Sequence, residues 1–153
     1  MKHIISIVLL SLLLVACNSK DSKKDEAQLK IGQTDAKDTP QSALEKSMAK
    51  GEMVYKEFCN QCHRPKGKGI GRSFPPLAGS DYLMNNRMES IRGVKYGQQG
   101  EIEVNGKKYD GVMAPMGLSD EEVADVMNYV MNTWGNEQKE MVTVEEVTSI
   151  EKE

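Results

Sequence analysis

The chain has 153 residues, 39% hydrophobic and 28% charged, with 20 Lys+Arg against 23 Asp+Glu and a net charge of -3. That near balance gives no basic excess of the kind that holds nucleic acid. Roughly 95 residues remain for a core once the two ends are set aside, enough for one small domain whose apolar burial alone is marginal.

Residues 1–16 predict a secretory signal. Lys2 supplies the positive start, and Ile4 to Val15 form an apolar run of 12 residues broken only by Ser6 and Ser11. A membrane-spanning helix needs roughly 20 such residues, so this run is too short to be one. It ends in Leu14-Val15-Ala16-Cys17, which resembles a bacterial lipobox. In that family Cys17 is lipid-modified and becomes the first mature residue; an ordinary signal with a chance cysteine is the plainer alternative. Residues 17–41 are polar and charged, with almost nothing to bury. They are expected to form a flexible tether whose root-mean-square span is roughly 25–30 Å.

Residues 42–135 are expected to fold. Ser42-x-x-Glu45 has the pattern of a capping box. Leu44, Met48, Gly51, Tyr55 and Phe58 then recur at helical spacing up to Cys59. A glycine inside a helix costs about 1 kcal/mol against alanine, so Gly51 implies that another helix crosses closely there.

Cys59-Asn60-Gln61-Cys62-His63 follows, a C-x-x-C-H run. This is the pattern of c-type haem attachment. Two thiols a helical turn apart can add to the two vinyl groups of one porphyrin, and the next imidazole can reach the iron. A redox dithiol, a zinc site and a short disulfide share the C-x-x-C element. A structural zinc site takes about four protein ligands. With Cys17 and His3 assigned to the processed end, Cys59, Cys62 and His63 are one short. A thioredoxin-like dithiol expects a βαβ pattern, and none surrounds the motif. His63 is then the last histidine, which excludes a bis-histidine haem within one molecule. The sixth ligand must be Met, Lys, a weaker group or nothing.

Asp81 to about Val94 predicts one or two short helices. Glu101 to Tyr109 predicts a β-hairpin turning at Asn105-Gly106, with Glu103 facing Lys108 and Ile102 facing Tyr109. Ser119-Asp120-Glu121-Glu122 is a second capping box. Val123, Val126, Met127, Val130, Met131 and Trp134 make one apolar stripe behind it, and Gly135 is placed to stop that helix. Residues 136–153 hold six acids and two lysines and are expected to be an acidic, mobile C-terminal tail, although Met141, Val142, Val144 and Val147 leave room for some structure.

The order of these motifs resembles the class I, mono-haem cytochrome c family over about residues 45–136. Gly51-x-x-x-Tyr55 leads into the haem motif; Pro75-Pro76-Leu77-Ala78-Gly79 and Gly111-Val112-Met113-Ala114-Pro115 follow. Leu118-Ser119-Asp120-Glu121-Glu122 opens the helix that ends Asn132-Thr133-Trp134-Gly135. The likeness is greatest to members that carry the hairpin and a Trp-Gly-Asn ending, which serve as electron-delivering subunits or domains of bacterial respiratory enzymes. The resemblance implies an all-α cytochrome c fold, three to five helices around one covalent haem, with a small β-hairpin inserted before the Met loop. It implies thioethers from Cys59 and Cys62, iron ligation by His63, a hydrogen bond from His63 Nδ1 to the Pro76 carbonyl, and a helix crossing at Gly51. It implies Met113 as the second iron ligand. The family's proline follows its Met directly, whereas here the order is Met113-Ala114-Pro115-Met116, so Met116 competes. Tyr82 or Tyr96 is a candidate for a haem carboxylate contact without motif support.

Arg64, Lys66, Lys68 and Arg72 form a basic cluster after the haem motif, either a solvated loop or a steering patch for an acidic partner. The expected role is a one-electron carrier rather than an enzyme. It would be exported, held by the Cys17 lipid on a bacterial membrane facing the periplasm or cell exterior, and would exchange electrons with protein donors and acceptors. A fixed cytochrome c subunit of a dehydrogenase or terminal reductase is the alternative. A haem sensor or peroxidase-like enzyme ranks below both, because no second histidine or distal acid–base pair is present.

Overall fold

Thr39 starts the first helix, α1 (Pro40–Val54), in a computed structural model that describes residues 39–138 and 140–152. The signal, Cys17 and most of the tether lie outside the described residues. The expected cap at Ser42 is displaced. Thr39 accepts from the Ser42 backbone N–H, and its own N–H donates to Ser42 Oγ at 3.0 Å. Pro40 explains the shift: it has no N–H to satisfy and its φ suits a first helical turn. Ser42 therefore serves as the third residue of the cap. Among the described residues, no helix is long and apolar enough to cross a membrane.

α1 passes into a wider π-helical turn, Tyr55–Cys59, then a short α2 (Asn60–His63) that carries Cys62 and His63. α3 (Asp81–Asn85) and α4 (Arg87–Tyr96) fill the two-helix expectation. The hairpin is β1 (Ile102–Val104) and β2 (Lys107–Tyr109), paired in the expected register with Ile102 opposite Tyr109 and Glu103 opposite Lys108. Asp81 pins its tip, accepting from Asn105 N–H at 2.7 Å while its own N–H donates to Asn105 Oδ1 at 3.1 Å.

α5 (Asp120–Val130) opens on the expected Ser119–Glu122 capping box. It ends earlier than the apolar stripe suggests. Met131 caps it, and Trp134 lies in a following turn at φ +55°. α1 and α5 cross where the glycine requires. A methyl group on Gly51 would overlap the carbonyl of Asp125 and press on Tyr129 Cβ. Beside that crossing, Tyr55, Tyr129 and Trp134 pack ring to ring at 5.0–5.6 Å. Buried Tyr55 donates its hydroxyl to the Arg64 carbonyl at 2.6 Å, which ties the end of α2 to the start of the π-helical turn. Burial, foremost, pushes its phenol pKa well above the ordinary value.

The C-terminal segment is not a mobile tail. It folds back, forms α6 (Val144–Ser149), and buries Val142, Val147 and Ile150 in the core. Six short α-helical segments result among the described residues, one more than the upper expectation, because α6 comes from this segment. Its anchors are remote in sequence. Arg87 on α4 grips Glu146 with two bonds of 2.6 and 2.7 Å and donates to the Glu140 and Met141 carbonyls. Lys95 and Tyr96 donate to the Val147 and Ile150 carbonyls.

The Arg87 guanidinium is the main cause that holds the Glu146 carboxyl below its usual pKa. A depressed carboxyl stabilises the fold above its unfolded pKa, and that contribution fades as pH falls through the lowered folded value. The segment is therefore expected to loosen in acid below the ordinary carboxylate range. Amide exchange at Val147 and Ile150 should accelerate below the ordinary carboxylate range in the native protein, and the Arg87→Ala variant should show that faster exchange already at neutral pH.

Candidate haem site

The haem motif, the loop after it, α4 and the Met loop enclose one cavity of about 380 Å³. That is within the usual size range of cofactor sites. Cys59, Cys62 and His63 line it on one side, and Met113 and Met116 also reach it. The walls are largely carbon: Leu83, Val94, Ile102, Val126, Met127 and Val130 contribute among others.

Two devices orient His63. Gly69 N–H donates to the His63 carbonyl at 3.0 Å, folding the following loop back beneath the ring. Ile70 and Phe74 then form a β-bridge, and Phe74 stands edge-on to the imidazole at 6.5 Å. The Pro75 carbonyl lies 2.9 Å from His63 Nδ1. A carbonyl only accepts, so Nδ1 carries the proton and Nε2 keeps its lone pair.

The expected partner was Pro76, and the structure moves the bond by one residue. Prolines have no N–H, so the register of the Pro75–Pro76 pair is set by its neighbours. The Ile70–Phe74 bridge fixes it before, and Leu77 and Ala78 N–H groups both donate to the Gly67 carbonyl after it. Between those ties, Pro75 faces the ring.

Burial holds the His63 pKa below its ordinary value, opposed by the weaker effect of the Pro75 bond. The ring is neutral at physiological pH, the form that can bind a metal. Burial likewise pushes the Cys59 thiol up to about 11, with neighbouring Cys62 adding to the shift. A redox dithiol depends on a lowered thiol pKa, so this environment disfavours that use of the motif.

The Met loop is held through its backbone. Met113 and Gln98 exchange both N–H···O bonds at 2.8 Å, zipping residue 113 to the end of α4. Gly97 makes the approach possible at φ +91°, where a side chain would meet the Met113 carbonyl and Pro115. The Met113 methyl lies beside Gly93 on α4. Met116 has no such tie and is 37% exposed. Tyr82 lines the cavity, but Tyr96 does not, because its hydroxyl is spent on the Ile150 carbonyl. Arg64, Lys66, Lys68 and Arg72 do not line the cavity.

Sequence reasoning missed Gln98, Gly93 and Ser90, all in or next to α4. Their signal was weak, since a glycine and a serine inside a short polar helix suggest no chemistry by themselves.

A neutral, oriented imidazole beside two thiols in an apolar cavity fits a covalently held haem. The fold and site define a haem-binding electron-transfer domain. Residues 48–134 match the family model described as Cytochrome c, and the chain belongs to the cytochrome c family. It is 43% identical over 96 residues to a cytochrome c-552 of Thermus thermophilus, covering 60% of this chain and 72% of that protein. A second cytochrome c-552 of Thermus thermophilus is 42% identical over 98 residues, which is 61% of this chain and 66%, just under two thirds, of that protein. The cytochrome c subunit of a quinone alcohol dehydrogenase from Gluconacetobacter polyoxogenes is 32% identical over 103 residues, 65% of this chain but only 22% of that subunit. Membership of this family implies a covalently bound haem c and a part in electron transfer. Cys59 and Cys62 fit the attachment motif.

Proposed function

We propose that this protein is a membrane-tethered one-electron carrier whose haem is held by Cys59 and Cys62 and ligated by His63 and Met113. The observation that carries this reading is an apolar cavity onto which both thiols, a neutral imidazole and a backbone-pinned methionine converge. The bound iron supplies the one-electron change between two oxidation states.

The chain's own residues do the rest. Pro75 keeps the proton on His63 Nδ1, leaves Nε2 free to bind, and raises the basicity of the ring. Gln98 presents Met113, whose soft thioether favours the reduced state. The carbon walls exclude water, which favours a small reorganisation on electron transfer.

The Leu14-Val15-Ala16-Cys17 sequence supports export and a lipid anchor at Cys17, with the domain facing the periplasm or cell exterior. Exported protein redox partners, a donor and an acceptor in a respiratory chain, follow from that placement. A second reading, a fixed subunit of a dehydrogenase, is supported by the likeness to the quinone alcohol dehydrogenase subunit. Cys17→Ala is expected to move the haem protein from the membrane fraction to the soluble fraction. Retention in the membrane fraction would remove the lipid anchor. Mild solubilisation of the native protein separates the two readings: a carrier elutes alone, and a fixed subunit elutes with its dehydrogenase.

A further inference from the structure

α4 is weak as a helix, yet it carries one wall of the site. It is 10 residues long, holds Gly93 in its interior and starts at Asn86 without a side-chain cap. Helices this short are marginal in water, and an interior glycine weakens them further. Packing must therefore hold α4 in place.

Its two faces have different partners. Gly93, Val94 and the following Gln98 line the cavity, and Gln98 exchanges both backbone bonds with Met113. The opposite face is turned to the C-terminal segment. Arg87 binds Glu146 through bonds of 2.6 and 2.7 Å and reaches the Glu140 and Met141 carbonyls. Arg92 Nε donates to the Glu151 carbonyl at 3.2 Å, Lys95 Nζ to the Val147 carbonyl at 2.8 Å and the Tyr96 hydroxyl to the Ile150 carbonyl at 3.0 Å. Arg87 and Tyr96 are the first and last residues of α4, so both of its ends are held. Tyr96 stands just before Gly97 and Gln98, where the Met loop is tied.

The C-terminal segment is in turn fixed to α5. Asn128 bonds both backbone groups of Val142, and Thr148 donates to Asp120 at the start of α5 at 2.8 Å. Asp120 also pairs with Lys95 at 3.0 Å. Residues 140–151 thus bridge α5 and α4, and they lie beyond the 48–134 stretch that matches the cytochrome c family.

We infer that residues 140–151 are a clamp that positions Met113 as the iron's second ligand. Arg87, Tyr96 and Glu146 are its positioning residues: they hold α4, and through Gln98 the Met loop, against the cavity. This inference rests on the reading of Met113 as that ligand. Releasing the outer face of α4 lets a weak helix open more often. Each opening carries Gln98 and Met113 away together and leaves a coordination position free. The apparent affinity for an added ligand then rises with the open fraction.

The test uses the full-length, haem-loaded protein, with imidazole titrated into the oxidised form and amide exchange measured in parallel. The variants are Arg87→Ala and Tyr96→Phe; the second keeps the ring and removes only the hydroxyl. Both are expected to speed exchange at Val147 and Ile150 and at the Gln98 and Met113 N–H groups, and to raise imidazole affinity about tenfold. Val54→Ala, on α1, lowers stability from outside both α4 and the segment, and it should leave imidazole affinity near wild type. Unchanged imidazole affinity in both clamp variants would overturn the inference, whether or not Val147 and Ile150 exchange faster. An equal rise in Val54→Ala would also overturn it, because the effect would then follow global stability. Met113→Leu separates the inference from the reading beneath it, since it should bind imidazole tightly whatever the clamp does. If Met113→Leu keeps the wild-type affinity, the ligand reading fails. Exchange at the Gln98 and Met113 N–H groups then still decides whether the segment holds the loop.

Discussion

Met113→Leu is expected to lower the reduction potential by something on the order of 0.1–0.3 V, within the about 0.8 V that axial ligation and its surroundings can span. It should also let the reduced protein bind CO at neutral pH. The reason lies in the loop's backbone. Two 2.8 Å bonds to Gln98 fix residue 113 to the segment just after α4, and Gly97 admits that close approach only because it has no side chain. Leucine keeps the size and the backbone ties but offers no donor atom. Met116 has the same thioether without the ties and with more exposure. Met116→Leu should therefore leave the potential and the CO resistance near wild type. A reversed outcome, with Met116→Leu open and Met113→Leu closed, would exchange their roles.

Asn128→Ala is expected to cost about 3–5 kcal/mol of stability, because it strands two buried backbone groups at roughly 1–3 kcal/mol each and loosens a third partner. Asn128 sits fully buried on α5. Its Nδ2 donates to the Val142 carbonyl at 2.9 Å, and its Oδ1 accepts the Val142 N–H at 2.7 Å. One amide side chain thus does for Val142 what a neighbouring strand would do. The same Nδ2 reaches Ser47 Oγ on α1 at 2.9 Å, so a single residue joins α1, α5 and the C-terminal segment. Denaturant unfolding should show the midpoint fall, and amide exchange at Val142 should rise more than at Val123 in α5. Equal exchange at both sites would mean that Asn128 does not hold the segment locally.

Local rules made much of this fold legible. The Ser119 capping box, the α5 stripe as far as Val130 and the Asn105–Gly106 turn depend on neighbours a few residues apart, and each appears where the pattern put it. Gly51 foretold a crossing because a glycine inside a helix needs a reason. The misses depend on distant partners. Val142, Val147 and Ile150 sit among acids that suggest solvent, and Arg87, Lys95, Tyr96 and Asn128, brought in from α4 and α5, show why they are buried. The shift from Pro76 to Pro75 has the same origin, since the register is set by Gly67 and Ile70 rather than by the prolines. At the site, the Cys59–His63 run was legible because the chemistry compresses it into five residues. Gln98 was not, because its meaning comes from the Met113 backbone it pairs with.

The most direct measurement is the absorption spectrum of the purified protein before and after denaturation and acid–organic extraction, followed by the mass of the Cys59–Cys62 peptide. The account predicts that the haem band stays with the polypeptide and that this peptide carries the mass of one haem. Extraction of the haem, with the peptide at the mass of two free thiols, would contradict it.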